Sequence, residues 1–187
     1  MPVLNNKEKQ NLLKLARSII VSKLNADEKV CYPDNILKSL EQKRGCFVTL
    51  HKNNNLRGCI GNIEPLSSLI ASVKENAVNA AFRDPRFSPL KADELSEIEI
   101  EISVLTVPEP LDYKDSEDLK SKLKPGKHGV IISKGWQKST FLPQVWKQLP
   151  DKESFLSQLC LKAGMDKDTW KDEKLSVKVY EVEYFSE

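Results

Sequence analysis

The chain holds four cysteines, Cys31, Cys46, Cys59 and Cys160, yet no C-x-x-C pair. Without paired spacing there is neither a disulfide framework nor a zinc signature, and the two histidines, His51 and His128, stand far apart and away from any cysteine pair. No metal and no cofactor is assigned from the sequence. Apolar runs long enough for a signal peptide or a membrane span are also missing, which together with unpaired thiols points to a reducing cytoplasm and no membrane partner. Charge of one sign is not in excess: 29 Lys+Arg against 27 Asp+Glu leave a formal +2. Such a field exerts no strong pull toward nucleic acid. Internal repeats and low-complexity tracts are absent, and arginine is absent from the second half, since Arg17, Arg44, Arg57, Arg83 and Arg86 all lie before residue 90.

What is present is an ordinary globular composition. With 187 residues and 40% hydrophobic content, the chain suits a single domain over 1–187, with one core or two small subdomains sharing one. Residues 1–60 hold eleven Lys/Arg against five Asp/Glu, so a basic face in the first third is weakly supported. The selective placement of arginine suggests sites where a planar fork must hold a carboxylate or phosphate in one orientation.

Periodicity predicts a helix over residues 6–24, with Asn5 and Glu8 forming a capping pair, and a shorter helix over 34–43. Cys46 to His51 and Leu56 to Gly61 read as two strands of a hairpin whose loop is Asn53-Asn54-Asn55. A three-residue loop places His51 opposite Arg57, Thr49 opposite Cys59 and Phe47 opposite Gly61, and a different loop length would change these pairs. A helix is expected from Pro65, with small residues Ala77, Ala80 and Ala81 allowing close approach to a sheet, and it stops at Asp84-Pro85-Arg86-Phe87. Residues 97–107 alternate as a half-buried strand. A short helix over 116–123, a strand pair over 130–142, a turn at Leu142-Pro143-Gln144-Val145, and a helix capped by Asp151 and ended by Gly164 follow. Cys160 falls on the apolar stripe of that helix. The last stretch, 175–185, reads as one strand whose buried phase shifts midway, as at a bulge.

The stretch Leu56-Arg57-Gly58-Cys59-Ile60-Gly61 concentrates a cation, a thiol and two glycines, and strand alternation puts Arg57, Cys59 and Gly61 on one face. Three readings stay open. Cys59 is a nucleophile, with Arg57 and Arg86 holding an anionic group and His128 or Asp84 handling protons. Alternatively the cluster is a non-catalytic binding module for an anionic small molecule, nucleic acid or protein. In the third, Arg57 pairs with Asp84 and the glycines serve packing alone.

Taken together, Gly45-Cys46-Phe47-Val48-Thr49-Leu50, the LRGCIG hexapeptide, Asp84-Pro85-Arg86-Phe87, residues Ile100 to Thr106, His128-Gly129-Val130 and Phe141 to Val145 resemble the AMMECR family, named for the AMME syndrome candidate region protein. The resemblance covers nearly the whole chain. It implies an α+β fold of antiparallel sheet with flanking helices in two subdomains, and an intracellular protein associated with Memo-like and radical SAM partners of a modification pathway. Position by position it picks out Arg57, Gly58, Cys59 and Gly61, then Asp84, Arg86 and Phe87, and favours His128 over His51 as any imidazole partner.

Overall fold

The computed structural model describes residues 4–25, 29–30, 38–172 and 174–187. In chain order the elements are α1 (Asn6–Leu24), α2 (Lys38–Glu41), β1 (Cys46–Lys52), β2 (Asn55–Asn62), α3 (Leu69–Phe82), β3 (Ile98–Leu105), β4 (Glu109–Pro110), α4 (Ser116–Lys122), β5 (Gly129–Lys134), β6 (Gln137–Phe141), α5 (Lys152–Lys162), α6 (Thr169–Asp172), β7 (Ser176–Tyr180) and β8 (Val182–Ser186). Two 3-10 turns, Ala92–Glu94 and Pro143–Lys147, interrupt the connections. The strands form two four-stranded sheets, ordered β2-β1-β3-β8 and β4-β7-β5-β6. The fold is α+β, and it divides into one unit of Met1–Val107 with Glu183–Glu187 and another of Pro108–Val182.

In the first unit, α1 begins where the sequence marks it. The Asn5 side chain accepts the Glu8 N–H at 3.0 Å and the Glu8 carboxylate accepts the Asn5 N–H at 2.7 Å, satisfying two donors that a helix start leaves orphaned. Leu12, Ala16 and Ile20 then pack with Val73, Ala77 and Ala80 of α3 and with Val48, Leu50, Ile100 and Ile102 of the sheet. Each fully buried aliphatic side chain contributes roughly 1.5–3 kcal/mol, so this layer is where the unit's stability originates.

Three expectations change. The helix after the hairpin starts at Leu69, four residues past Pro65, because the chain before it is tied to the segment preceding β1: Ser68 is extended and bridges Lys43, Leu69 N–H donates to the Gln42 carbonyl at 2.9 Å, and Ser68 caps the helix by accepting the Ala71 N–H. Of the helix expected over 34–43, residues 34–37 lie outside the described residues, and Lys38–Glu41 is helical. The strand expected over 175–185 is two strands in two sheets: the shift of buried phase marks the point at Glu181 where the chain leaves β7 and enters β8.

The second unit packs α4 and α5 against the inner face of its sheet. Val130, Ile132 and Val177 meet Leu119, Phe155, Leu156 and Leu159, and the rings of Trp146 and Phe155 stack with centroids 3.6 Å apart. Cys160 is fully buried in this core, and burial pushes its thiol pKa up.

Candidate functional site

The hairpin loop sets the geometry of LRGCIG. Asn53 and Asn54 have φ of 52° and 62°, the left-handed conformation that asparagine tolerates and a two-residue turn requires. The loop is thus two residues, with Lys52 opposite Asn55 and His51 opposite Leu56, which corrects the expected His51–Arg57 pair. Left alone, that shorter loop would slip every later pair by one. A bulge between Leu50 and His51 restores the register, so Leu50 faces Gly58, Thr49 faces Cys59 and Phe47 faces Gly61. Arg57 is the extra residue of the bulge, a position without a cross-strand partner that re-aims its side chain.

Helix α3 sits directly on the other face. A Cβ on Gly58 would lie 2.1 Å from the Ala80 carbonyl oxygen, so only glycine permits this helix-to-sheet distance. At Gly61 a Cβ would meet the Phe47 ring at 2.4 Å and the Cys46 carbonyl oxygen at 2.3 Å; the aromatic ring covers the glycine across the strand pair. Buried Asn76 ties the same helix to β1, donating to the Cys46 carbonyl at 3.1 Å.

Strand β2 is an edge, and an edge normally leaves backbone groups unpaired. Here the loop after α3 fills that place. Asp84 accepts the Cys59 N–H at 2.8 Å, Arg86 donates to the Cys59 carbonyl at 3.1 Å, and the two side chains grip each other at 2.9 and 2.7 Å. An Asp–Arg pair therefore stands where a neighbouring strand's N–H and C=O would be. Asp84 is buried; the Arg86 guanidinium, helped by the Cys59 and Arg86 N–H groups, holds its carboxyl well below the usual carboxylate range against the opposing effect of burial.

Arg57 has a different partner from the one considered. Its Nε and Nη2 donate to the two oxygens of Glu94 at 3.0 and 2.9 Å, and Glu94 also accepts the Lys91 N–H at 3.1 Å and Lys52 Nζ at 3.4 Å. The Arg57 hydrogen bonds hold Glu94 down at about 2. The remaining nitrogen, Arg57 Nη1, is buried and has no hydrogen-bond partner among the described residues. The Phe87 ring lies 6.0 Å from the Arg57 guanidinium and 5.5 Å from that of Arg86, within cation–π reach of both. The half-buried Cys59 thiol accepts a hydrogen bond from the Thr49 hydroxyl at 3.2 Å.

The first unit thus brings together Arg57, Gly58, Cys59, Gly61, Asp84, Arg86 and Phe87. His128 belongs to the second unit. It is buried at the mouth of β5, its carbonyl accepts the Trp146 indole N–H at 2.7 Å, and burial, then Lys124, push its pKa down despite Glu181. Thr49 stands opposite Cys59 as the expected register placed it; the member of the site that escaped sequence reasoning is Glu94, which lies 37 residues beyond Arg57 and carries no local signal. Among the described residues no group of three His, Cys, Asp or Glu side chains could hold a metal ion, and no helix is long and apolar enough to cross a membrane.

Comparisons with known proteins now bear on the whole chain. A protein of Methanothermobacter thermautotrophicus is 40% identical over 185 residues, covering 98% of this chain and 96% of its own length. One of Nanoarchaeum equitans is 41% identical, covering 95% and 99%. The crystal structure of an uncharacterized protein from Pyrococcus horikoshii superposes with a TM-score of 0.83 at 35% identity, over 100% of this chain and 94% of that one. The AMMECR1 family model matches residues 13–185, and the chain belongs to the AMMECR1 family.

Proposed function

We propose that the LRGCIG edge is a binding site in which Arg57 Nη1 receives an oxygen acceptor from a ligand, and that the domain acts as a binding module or accessory factor. The observation that carries this is the orphaned nitrogen: a buried donor without an acceptor costs about 1–3 kcal/mol, which a ligand oxygen would relieve. The charge of Arg57 is already balanced by Glu94, and that of Arg86 by Asp84. A neutral carbonyl or amide oxygen therefore suits the position better than a second carboxylate, which would be repelled by Glu94. Arg86, with 54% of its side chain exposed, and the Phe87 ring supply the flanking contacts. Cys59 cannot extend the sheet to an incoming peptide strand, because Asp84 and Arg86 already occupy its N–H and C=O, so recognition runs through side chains. A role beside Memo-like and radical SAM proteins would use this same edge.

The test is a titration followed by NMR of the arginine Nε–H and backbone N–H signals. A capped dipeptide amide should shift the Arg57 and Cys59 signals saturably and more than acetate or inorganic phosphate does, and Arg57→Lys should abolish the response. Silence of both signals toward all three probes, or an unchanged response in Arg57→Lys, overturns the proposal.

A second reading, Cys59 as a nucleophile, draws on its half-buried thiol with the Thr49 hydroxyl donating to the sulfur at 3.2 Å. Asp84 is not a free base for it, since its oxygens are committed to the Cys59 N–H and Arg86. In a Cys31→Ser background, iodoacetamide alkylation at Cys59 faster than a free model thiol near pH 7, and slowed by Thr49→Val, would favour this reading; a rate at or below the model thiol's removes it.

A further inference from the structure

The second unit holds a hydrogen-bond donor that its own fold leaves unused. His128 is 9% exposed, and most of its polar groups are committed inside the unit. Its N–H donates to the Lys124 carbonyl at 3.0 Å, its carbonyl accepts the Trp146 indole N–H at 2.7 Å, and its Nδ1 accepts the Lys124 N–H at 3.4 Å. An acceptor at Nδ1 places the proton of the neutral ring on Nε2. That Nε2–H has no hydrogen-bond partner among the described residues, where Arg57 Nη1 is the side-chain nitrogen both buried and unpartnered. The imidazole donor therefore reaches solvent, through a narrow window.

The ring is held on a stiff mount. Lys124-Pro125-Gly126-Lys127 is a turn in which proline fixes one φ and Gly126 takes φ of 75°, and the Lys127 N–H closes it onto the Lys124 carbonyl at 3.2 Å. Next to the histidine the Tyr180 ring covers Gly129, where a Cβ would lie 2.4 Å away. Nothing lies within 4 Å of a Cβ position on Gly126, so the turn itself stands open. Its charge is of one sign. Burial, then Lys124, hold the imidazole toward its neutral form, Glu181 opposes them and Lys127 adds a smaller push. Lys127 is paired with Glu181 at 3.0 Å. Lys124 is exposed, and among the described residues its ammonium group has no ion pair, so it is the uncompensated charge beside the window.

We propose that this turn is a carboxylate-binding site, one oxygen accepting the His128 Nε2–H and the other pairing with Lys124 Nζ. The choice of ligand follows from charge and tautomer. With the ring neutral and Lys127 balanced by Glu181, a single negative charge offsets Lys124. A phosphate dianion would instead call for an imidazolium, whose Nδ1–H would point at the Lys124 N–H in place of accepting it. A phosphodiester carries the right charge, but it is tetrahedral and doubly substituted, whereas a carboxylate is flat and suits the narrow window. Two oxygens on one carbon also let one group meet a ring N–H and an ammonium together. The site differs from the LRGCIG edge, where Glu94 repels a carboxylate, and it does not depend on that edge.

Imidazole 1H–15N spectra of the full chain at pH 7.5, with ionic strength held by chloride, test this. Sodium acetate should shift the His128 Nε2 signal saturably while the ring keeps its Nε2–H tautomer, and His51 serves as the unmoved internal control. Lys124→Ala, an exposed change that leaves the fold intact, should raise Kd on the order of five-fold. His128→Phe, followed through the Gly126 and Lys127 N–H signals, should lose the response, and Arg57→Lys should keep it. Acetyl-glycine binding more tightly than acetate assigns the carboxylate to a peptide end; acetate binding as well or better assigns it to a small acid. No saturable shift of His128, an equal shift of His51, or a Kd unchanged in Lys124→Ala overturns the proposal. So does inorganic phosphate or dimethyl phosphate binding more tightly than either carboxylate, and so does a response lost in Arg57→Lys.

Discussion

Two carboxylates, Asp84 and Glu94, organise the cluster at the scale of single residues, and each does so by satisfying an arginine and a backbone N–H at once. The Arg57–Glu94 pair is largely buried, with 12% and 15% of the side chains exposed. Removing one partner strands the other. Glu94→Gln is therefore expected to cost about 2–4 kcal/mol in urea unfolding, while Arg57→Met combined with Glu94→Leu should recover part of that loss; equal losses in the single and double variants would contradict the pairing. The same carboxylate has a pH signature. Because its folded value is depressed to about 2 from an unfolded value near 4.3, its stabilisation is complete above about pH 4.3 and is lost as pH falls toward 2. Asp84, depressed in the same direction by Arg86, adds to the loss on the acid side. Asp84→Asn should shift the acid unfolding midpoint upward, measured by circular dichroism, because the Cys59 N–H and Arg86 lose an ionised acceptor.

Among elements, α3 and the hairpin are coupled through Gly58. Alanine there would drive a methyl into the backbone carbonyl of Ala80, which cannot rotate away, so Gly58→Ala should destabilise by about 3 kcal/mol or more. Gly135→Ala makes a useful contrast. Nothing lies within 4 Å of that position, but φ is +57°, so the cost should be only the conformational ~1–2 kcal/mol. Much of this level was legible in the sequence. The capping box of α1, the alternation of β3 and the stop of α5 at Gly164 are local patterns, and local patterns survive folding. The Thr49–Cys59 pair was reached through a compensating pair of features: a two-residue turn replaced the expected loop, and the Arg57 bulge cancelled the slip. Bulges leave no mark in alternation when a glycine follows. Glu94 was invisible because a contact across 37 residues depends on where the loop after Asp84 returns. The passage from β7 to β8 showed as a phase shift, but side-chain phase cannot tell a bulge from a change of sheet.

Across the whole molecule the acid-sensitive groups are divided between the two units, and this separates their behaviour with pH. In the first unit Glu187 is tied to β3 and α1: its N–H donates to the Ile100 carbonyl at 3.2 Å and its side chain accepts the Ile100 N–H at 3.1 Å, with Arg17 paired to the same carboxylate. The unit's titrating carboxylates Asp84 and Glu94 matter only below about pH 4.3. The second unit holds His128, whose folded pKa lies below the ordinary value because of burial and Lys124. For a group depressed in this way the unfolded chain binds its proton first. Stability is thus full above the unfolded value of about 6.5 and falls as pH drops through it, ceasing to fall below the folded pKa. Hydrogen exchange of the full chain should accordingly lose protection in two waves: first in β5 and β6 as pH falls through about 6.5, then in β1, β2 and α3 below about pH 4.3. His128→Gln should abolish the first wave and leave the second, whereas a first wave that persists in His128→Gln would show that another group controls the second unit.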